Sequence, residues 1–131
     1  MIRLLFLTLL SVNFINSDED QHMHQYSHSH DVYVQGEKLE VDEKRFKNFL
    51  DGLTDSQVAV VNVNGMVCDF CARGIEKTFE KDKAVKRIDV DLERGKVLIA
   101  YTKEKEINFD EIKNKILANG QNAIDFTILN I

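Results

Sequence analysis

The stretch "QVAVVNVNGMVCDFCARGIEKTF", residues 57–79, decides the fold of this chain. Its first half, Gln57 to Asn64, is rich in β-branched residues and closes on Gly65, so it reads as a central strand ending in a turn. Its second half sets Ile75 and Phe79 four apart, with Glu76 and Lys77 turned outward, which is helical spacing. Between the two halves stand Cys68 and Cys71, the only cysteines in the sequence.

The same rhythm continues toward the C-terminus. In "AVKRIDVDL", residues 84–92, Val85, Ile88, Val90 and Leu92 alternate with charges, with one break in strict alternation. "ERG", residues 93–95, is a turn, and "KVLIAYT", residues 96–102, is a further strand, so the two runs form a hairpin. "NFDEIKNKILANG", residues 108–120, reads as a helix whose Phe109, Ile112, Ile116 and Leu117 line one face. Asn108 or Asp110 caps its start and Gly120 closes its end. "NAIDFTILNI", residues 122–131, supplies a last strand. The order over residues 57–131 is β-α-β-β-α-β, a ferredoxin-like split arrangement of the α+β class.

Upstream, residues 32–56 predict a short extended piece at Val32–Val34 and then an amphipathic helix. Asp42 suits its N-cap, Glu43 suits the positive end of its dipole, and Val41 and Phe46 occupy the two positions of a hydrophobic staple. Phe46, Phe49, Leu50 and Leu53 share one face, which reads as a docking stripe for the domain that follows. Residues 18–31 hold all four histidines, His22, His24, His28 and His30, in a polar stretch with almost no aliphatic residue. Such a composition predicts a disordered tail. Its imidazoles either hold Cu(II), Ni(II) or Zn(II) loosely or serve only as a solubilising linker.

Residues 1–17 carry Arg3, an apolar run from Leu4 to Ile15, and Ser17 before the acidic "DEDQ". This is the pattern of a secretory signal peptide, and the apolar run is shorter than the about 20 residues a membrane-spanning helix needs. Export to the periplasm, an oxidising compartment, is the expectation, with no stable membrane span once the signal is removed.

The composition, 44% hydrophobic and 30% charged over 131 residues, is that of a globular chain with one modest core. The formal net charge is -5, and no basic block or stripe appears, which argues against a nucleic-acid partner. No nucleophile–base pair, phosphate loop or paired catalytic carboxylates can be picked out by spacing, so an enzyme is not expected.

The cysteine pair admits three chemistries. Two thiolates near a helix N-terminus, where free N–H groups lower thiol pKa, can converge on one soft ion. A structural zinc site wants four ligands, and residues 57–131 offer two cysteines and no histidine. A thiol–disulfide oxidoreductase is the alternative, since CxxC beside a βαβ pattern suggests a thioredoxin-like motif. Oxidoreductases of that type place a proline opposite their cysteines, and this chain contains none. A structural disulfide would close a very small loop and so contribute little.

"GMVCDFCARGIEKTF", residues 65–79, resembles the GMxCxxC signature of heavy-metal-associated domains. That is the fold of copper chaperones, of the periplasmic mercury-binding protein and of the N-terminal modules of metal-pumping P-type ATPases. The resemblance spans about Val58 to Ile128. It implies that Cys68 and Cys71 are metal ligands, that Met66 packs beneath the loop, and that Ile75 and Phe79 are core. It implies Cu(I) as the bound ion, with Hg(II) or Zn(II) as alternatives, and a metal-transporting ATPase or other metal-accepting protein as partner. Two positions depart from the family pattern. Gln121 and Asn122 stand where relatives often carry Tyr, Phe or Lys near the metal. Val67 stands where zinc-pumping relatives often carry an acidic residue, and Asp69 falls between the cysteines, facing solvent or capping the helix. A docking module of this fold without metal is the remaining alternative.

Overall fold

A computed structural model describes residues 32–34, 36–65 and 68–131. The expected signal peptide, the His-rich tail and Met66 lie outside the described residues. The elements are β1 (Val32–Val34), β2 (Glu37–Leu39), α1 (Glu43–Leu50), β3 (Ser56–Asn64), α2 (Asp69–Glu80), β4 (Val85–Asp91), β5 (Lys96–Thr102), α3 (Phe109–Leu117) and β6 (Asn122–Asn130). From β3 onward the order is the expected β-α-β-β-α-β. The four strands form one antiparallel sheet in the order β4-β5-β3-β6. Each helix connects two strands that are not neighbours, which is the ferredoxin-like split arrangement. Among the described residues no helix is long and apolar enough to cross a membrane.

One face of the sheet carries α2 and α3. Ile75 and Phe79 of α2 and Ile112 and Ile116 of α3 pack there on Ala59, Val61, Val63, Val97, Ile99 and Tyr101. Leu117 was expected on this buried face, but it is 53% exposed. Successive residues turn by about 100° around a helix, and Ile112 and Ile116 alone fill the stripe α3 presents to the sheet. Asn108 is the N-cap of α3, accepting from the backbone N–H groups of Asp110 and Glu111, so Asp110 is not the cap.

The opposite face is also covered. Val58, Val60, Leu98, Ala100 and Leu129 pack against Leu39, Val41, Phe46 and Phe49, with Leu50 and Leu53 partly buried beside them. The stripe on α1 therefore docks on the sheet. Asp42 accepts from the Arg45 N–H at 2.7 Å and caps α1 as expected, and Val41 and Phe46 are both buried at the staple positions. Two arginines, one on each element, fasten the helix to β4. Arg45 donates from Nε and Nη2 to Asp89 at 2.6 and 2.9 Å, while Arg87 donates to the carbonyls of Phe49 and Asp51 at the helix C-terminus. The sequence reading missed β2, which pairs antiparallel with β1. Its three residues, Glu-Lys-Leu, are too few and too charged to show alternation, and only Leu39 is counted in the buried core.

Burial on both faces explains why "VAVV" and "VLIAY" are continuous apolar runs rather than alternating ones. The break in β4 has a different cause, a bulge. The register slips between Val85 and Arg87, so Lys86 is the extra residue, and its Nζ donates to the Thr54 carbonyl and Ser56 Oγ. A second slip, between Asn62 and Val63, leaves Ile124 of β6 as the extra residue, 61% exposed.

Candidate metal centre

Strand β3 delivers the chain to Gly65, whose φ of 86° lies in the left-handed region open to glycine. Cys68 is extended (φ -150°, ψ 153°) and stands at the N-cap of α2. The Cys68 carbonyl accepts from the N–H groups of Cys71 and Ala72 at 3.1 and 3.4 Å, closing the first turn. One helical turn therefore carries Cys71 back toward Cys68. The two Sγ atoms lie 2.8 Å apart, both thiols are free, Cys68 is exposed and Cys71 half-buried.

The two thiols are not equivalent. Cys68 is held below the usual thiol range because the Cys71 thiol, then the backbone N–H groups of Cys71 and Phe70, donate toward its sulfur. Cys71 is pushed above that range, first by donating to Cys68 and then by burial and the Cys68 charge. The Cys71 thiol and the N–H groups at the start of α2 thus favour one thiolate at Cys68, while Cys71 keeps its proton. Asp69 lies in the first turn and is exposed, as expected, while the cap position belongs to Cys68. Among the described residues no group of three or more Cys, His, Asp or Glu side chains gathers at one point. What the pair can do chemically is hold one soft ion between two sulfurs at the surface, or close on itself by oxidation.

Behind the loop lies a residue whose role the sequence reading did not foresee. Gln121 is only 5% exposed, and its Oε1 has no hydrogen-bond partner among the described residues. A Cβ placed on Gly65 would sit 3.2 Å from that oxygen. Helix α3 ends with Gly120 at φ 77°, its N–H donating to the Leu117 carbonyl and that of Gln121 to the Ile116 carbonyl. This Schellman pattern is the detectable signal: a Gly at C′ fixes where the next side chain points. Phe70, between the cysteines, is 85% exposed.

Comparison with known proteins follows this geometry. Residues 60–121 match the model of the heavy-metal-associated domain. The copper chaperone CopZ of Staphylococcus haemolyticus (strain JCSC1435) is 33% identical over 61 residues, 47% of this chain and 88% of that relative. Among solved structures, a CopZ metallochaperone shares 28% identity at a TM-score of 0.47, covering 51% of this chain and 98% of the other. Oxidized MerP from Ralstonia metallidurans CH34 shares 20% identity at a TM-score of 0.46, covering 53% and 94%.

Proposed function

The chain belongs to the heavy-metal-associated domain family, and from that premise we propose that it binds a soft metal ion, Cu(I) first, between Cys68 and Cys71 and passes it on. The observation that carries this reading is the pair of free thiols 2.8 Å apart at an accessible helix N-terminus. Soft sulfur donors favour Cu(I), and Hg(II) by the same softness, over Zn(II), for which two cysteines leave the coordination sphere half filled. The name of the CopZ relative supports copper.

Exposure suits transfer. A thiolate of a metal-accepting protein adds to the ion before Cys68 or Cys71 leaves, so the ion is never naked and no catalytic group is required. The acceptor in this reading is a metal-transporting ATPase or another thiol-bearing carrier. The working form is the dithiol, because oxidation to a Cys68–Cys71 disulfide removes both ligands together. Residues 1–17 direct export to the periplasm in the same reading, and N-terminal sequencing of protein recovered from cells checks it. A start at residue 1 would overturn it.

The decisive experiment is anaerobic competition of Cu(I), Zn(II) and Hg(II) on the reduced chain. One Cu(I) per chain is expected, and Cys68→Ser abolishes it. Stoichiometric binding by that variant overturns the proposal. A thiol-exchange assay on the same material decides the oxidoreductase alternative, with no turnover expected.

A further inference from the structure

The sequence contains two Asn-Gly dipeptides, Asn64-Gly65 where β3 ends and Asn119-Gly120 just past α3. Asparagine is thermolabile, and most so before glycine, where no Cβ hinders attack of the next backbone nitrogen on the side-chain amide. That attack needs a carboxamide free to turn, a backbone N–H free of a hydrogen bond, and access to water.

The two dipeptides differ in all three respects. Asn119 is half-buried, and its Nδ2 donates to Thr78 Oγ1 at 2.9 Å and to the Lys115 carbonyl at 3.0 Å. The Gly120 N–H donates to the Leu117 carbonyl at 2.9 Å, so the attacking nitrogen is held as well. Asn64, by contrast, is exposed, and its side chain makes no hydrogen bond among the described residues. Gly65 is exposed too and lies beyond the last rung of the β3–β6 ladder, Asn64 opposite Asn122. Its N–H makes no hydrogen bond among the described residues. A terminal rung is the part of a sheet that opens most readily, and opening it lets the backbone at Asn64 turn its Cγ onto the Gly65 nitrogen. Glycine is dictated at position 65 by its φ of 86° and by Gln121 Oε1, 3.2 Å from where a Cβ would stand. No side-chain contact of that kind holds Asn64.

We propose that Asn64 is a site of spontaneous modification by its own backbone and water. The Gly65 nitrogen gives its proton to hydroxide and bonds to Asn64 Cγ. The Cγ–Nδ2 bond breaks, and the nitrogen leaves as ammonia after taking a proton from water. Water then opens the succinimide ring at either of its two carbonyls, giving aspartate or isoaspartate. Each product places a carboxylate four positions ahead of Cys68. Isoaspartate also routes the main chain through the former side chain, adding one methylene where β3 ends, so the rung between Asn64 and Asn122 is lost. The reaction involves no metal and is independent of the proposed function.

The test incubates the full, reduced chain in mildly alkaline buffer below its unfolding temperature, beside a second sample in denaturant. Fragmentation mass spectrometry of proteolytic peptides locates each conversion of amide to acid, and labelling by an isoaspartyl methyltransferase identifies isoaspartate in the same peptides. In the folded chain Asn64 should convert at least about tenfold faster than Asn119, because three hydrogen bonds must open before Asn119 reacts. In denaturant, where neither dipeptide is held, the two rates should be similar. Equal rates in the folded chain overturn the proposal. So does an Asn64 that converts in denaturant but stays intact when folded, because the strand then protects it. Conversion at Asn64 without isoaspartate overturns the succinimide route, since direct hydrolysis gives aspartate alone.

Discussion

At the scale of single residues the two sulfurs differ although they are three positions apart. Cys68 is exposed and held below the usual thiol range, whereas Cys71 is half-buried and raised. Iodoacetamide at neutral pH is therefore expected to label Cys68 first, which peptide mapping at short times reads directly; equal rates would contradict the asymmetry. Under the proposed function a bound ion displaces both protons, so Cu(I) affinity should rise with pH until both thiols are ionised, and competition titrations across the range measure this. Phe79, fully buried against the sheet, carries packing rather than chemistry, and Phe79→Ala should cost about 3–5 kcal/mol in denaturant unfolding. The closeness of Cys68 to Cys71 and the burial of Ile75 and Phe79 were legible in one stretch of sequence, because spacing along a helix fixes which side chains share a face. Gln121 was not legible as a buried residue. Its burial comes from the register of a strand pair nearly 60 positions apart in sequence, which no local pattern encodes.

At the scale of elements, α2 and α3 are joined at the end away from the thiols by a cluster of charges. Lys115 Nζ lies 2.9 Å from Asp82 and 3.0 Å from Glu111, and Lys105 Nζ lies 3.3 Å from Glu111 and 3.9 Å from Asp82. Both carboxyls are held below the usual range, in each case first by the hydrogen bond from Lys115. Burial by itself pulls Lys115 down, and its bonds to Asp82 and Glu111 outweigh that and raise it. Since the folded carboxyl values are the depressed ones, their stabilisation is full above the unfolded values near 4 and disappears as pH falls through the folded values. Lys115→Met should flatten this acid limb in a pH series of denaturant titrations. At neutral pH it should cost about 1 kcal/mol, a figure reduced for partial solvent exposure. Nearer the site the helices approach closely at Gly74, where a Cβ would meet Asn119 Oδ1 at 2.6 Å. Asn119 is held there by donating from Nδ2 to Thr78 and to the Lys115 carbonyl. The helices, caps and hairpin followed from periodicity and turn residues, but β2 and the two bulges did not. A three-residue strand has too few positions to alternate, and a bulge shows only as a skipped beat such as that between Val85 and Ile88.

At the scale of the whole molecule the sheet is a middle layer, with α2 and α3 on one side and α1 on the other. Removing residues 1–56 uncovers Val58, Val60, Leu98, Ala100 and Leu129 together. The shortened chain should melt lower by at least about 8 °C, taking a loss of roughly 2 kcal/mol or more for a domain of this size. It should also self-associate in sedimentation experiments, since a contiguous apolar patch faces water. Unchanged melting and a monomer would show that α1 contributes nothing to the fold. That the α1 stripe docks was legible from its spacing, and the unbroken apolar runs of β3 and β5 already required a cover on both faces. Which face received α1 was fixed by Arg87 and Asp89 of β4 projecting toward it, a matter of strand register. The added layer has a consequence for descent. The family match begins at residue 60, so the segment bearing α1 lies outside it and forms a private partnership with the back of the sheet. Positions 58, 60, 98, 100 and 129 are thereby placed under a joint constraint with Leu39, Val41, Phe46 and Phe49. Homologues that carry the leading segment should keep both sets apolar, and homologues without it should show polar residues at the five sheet positions, a difference that an alignment of the two groups would record.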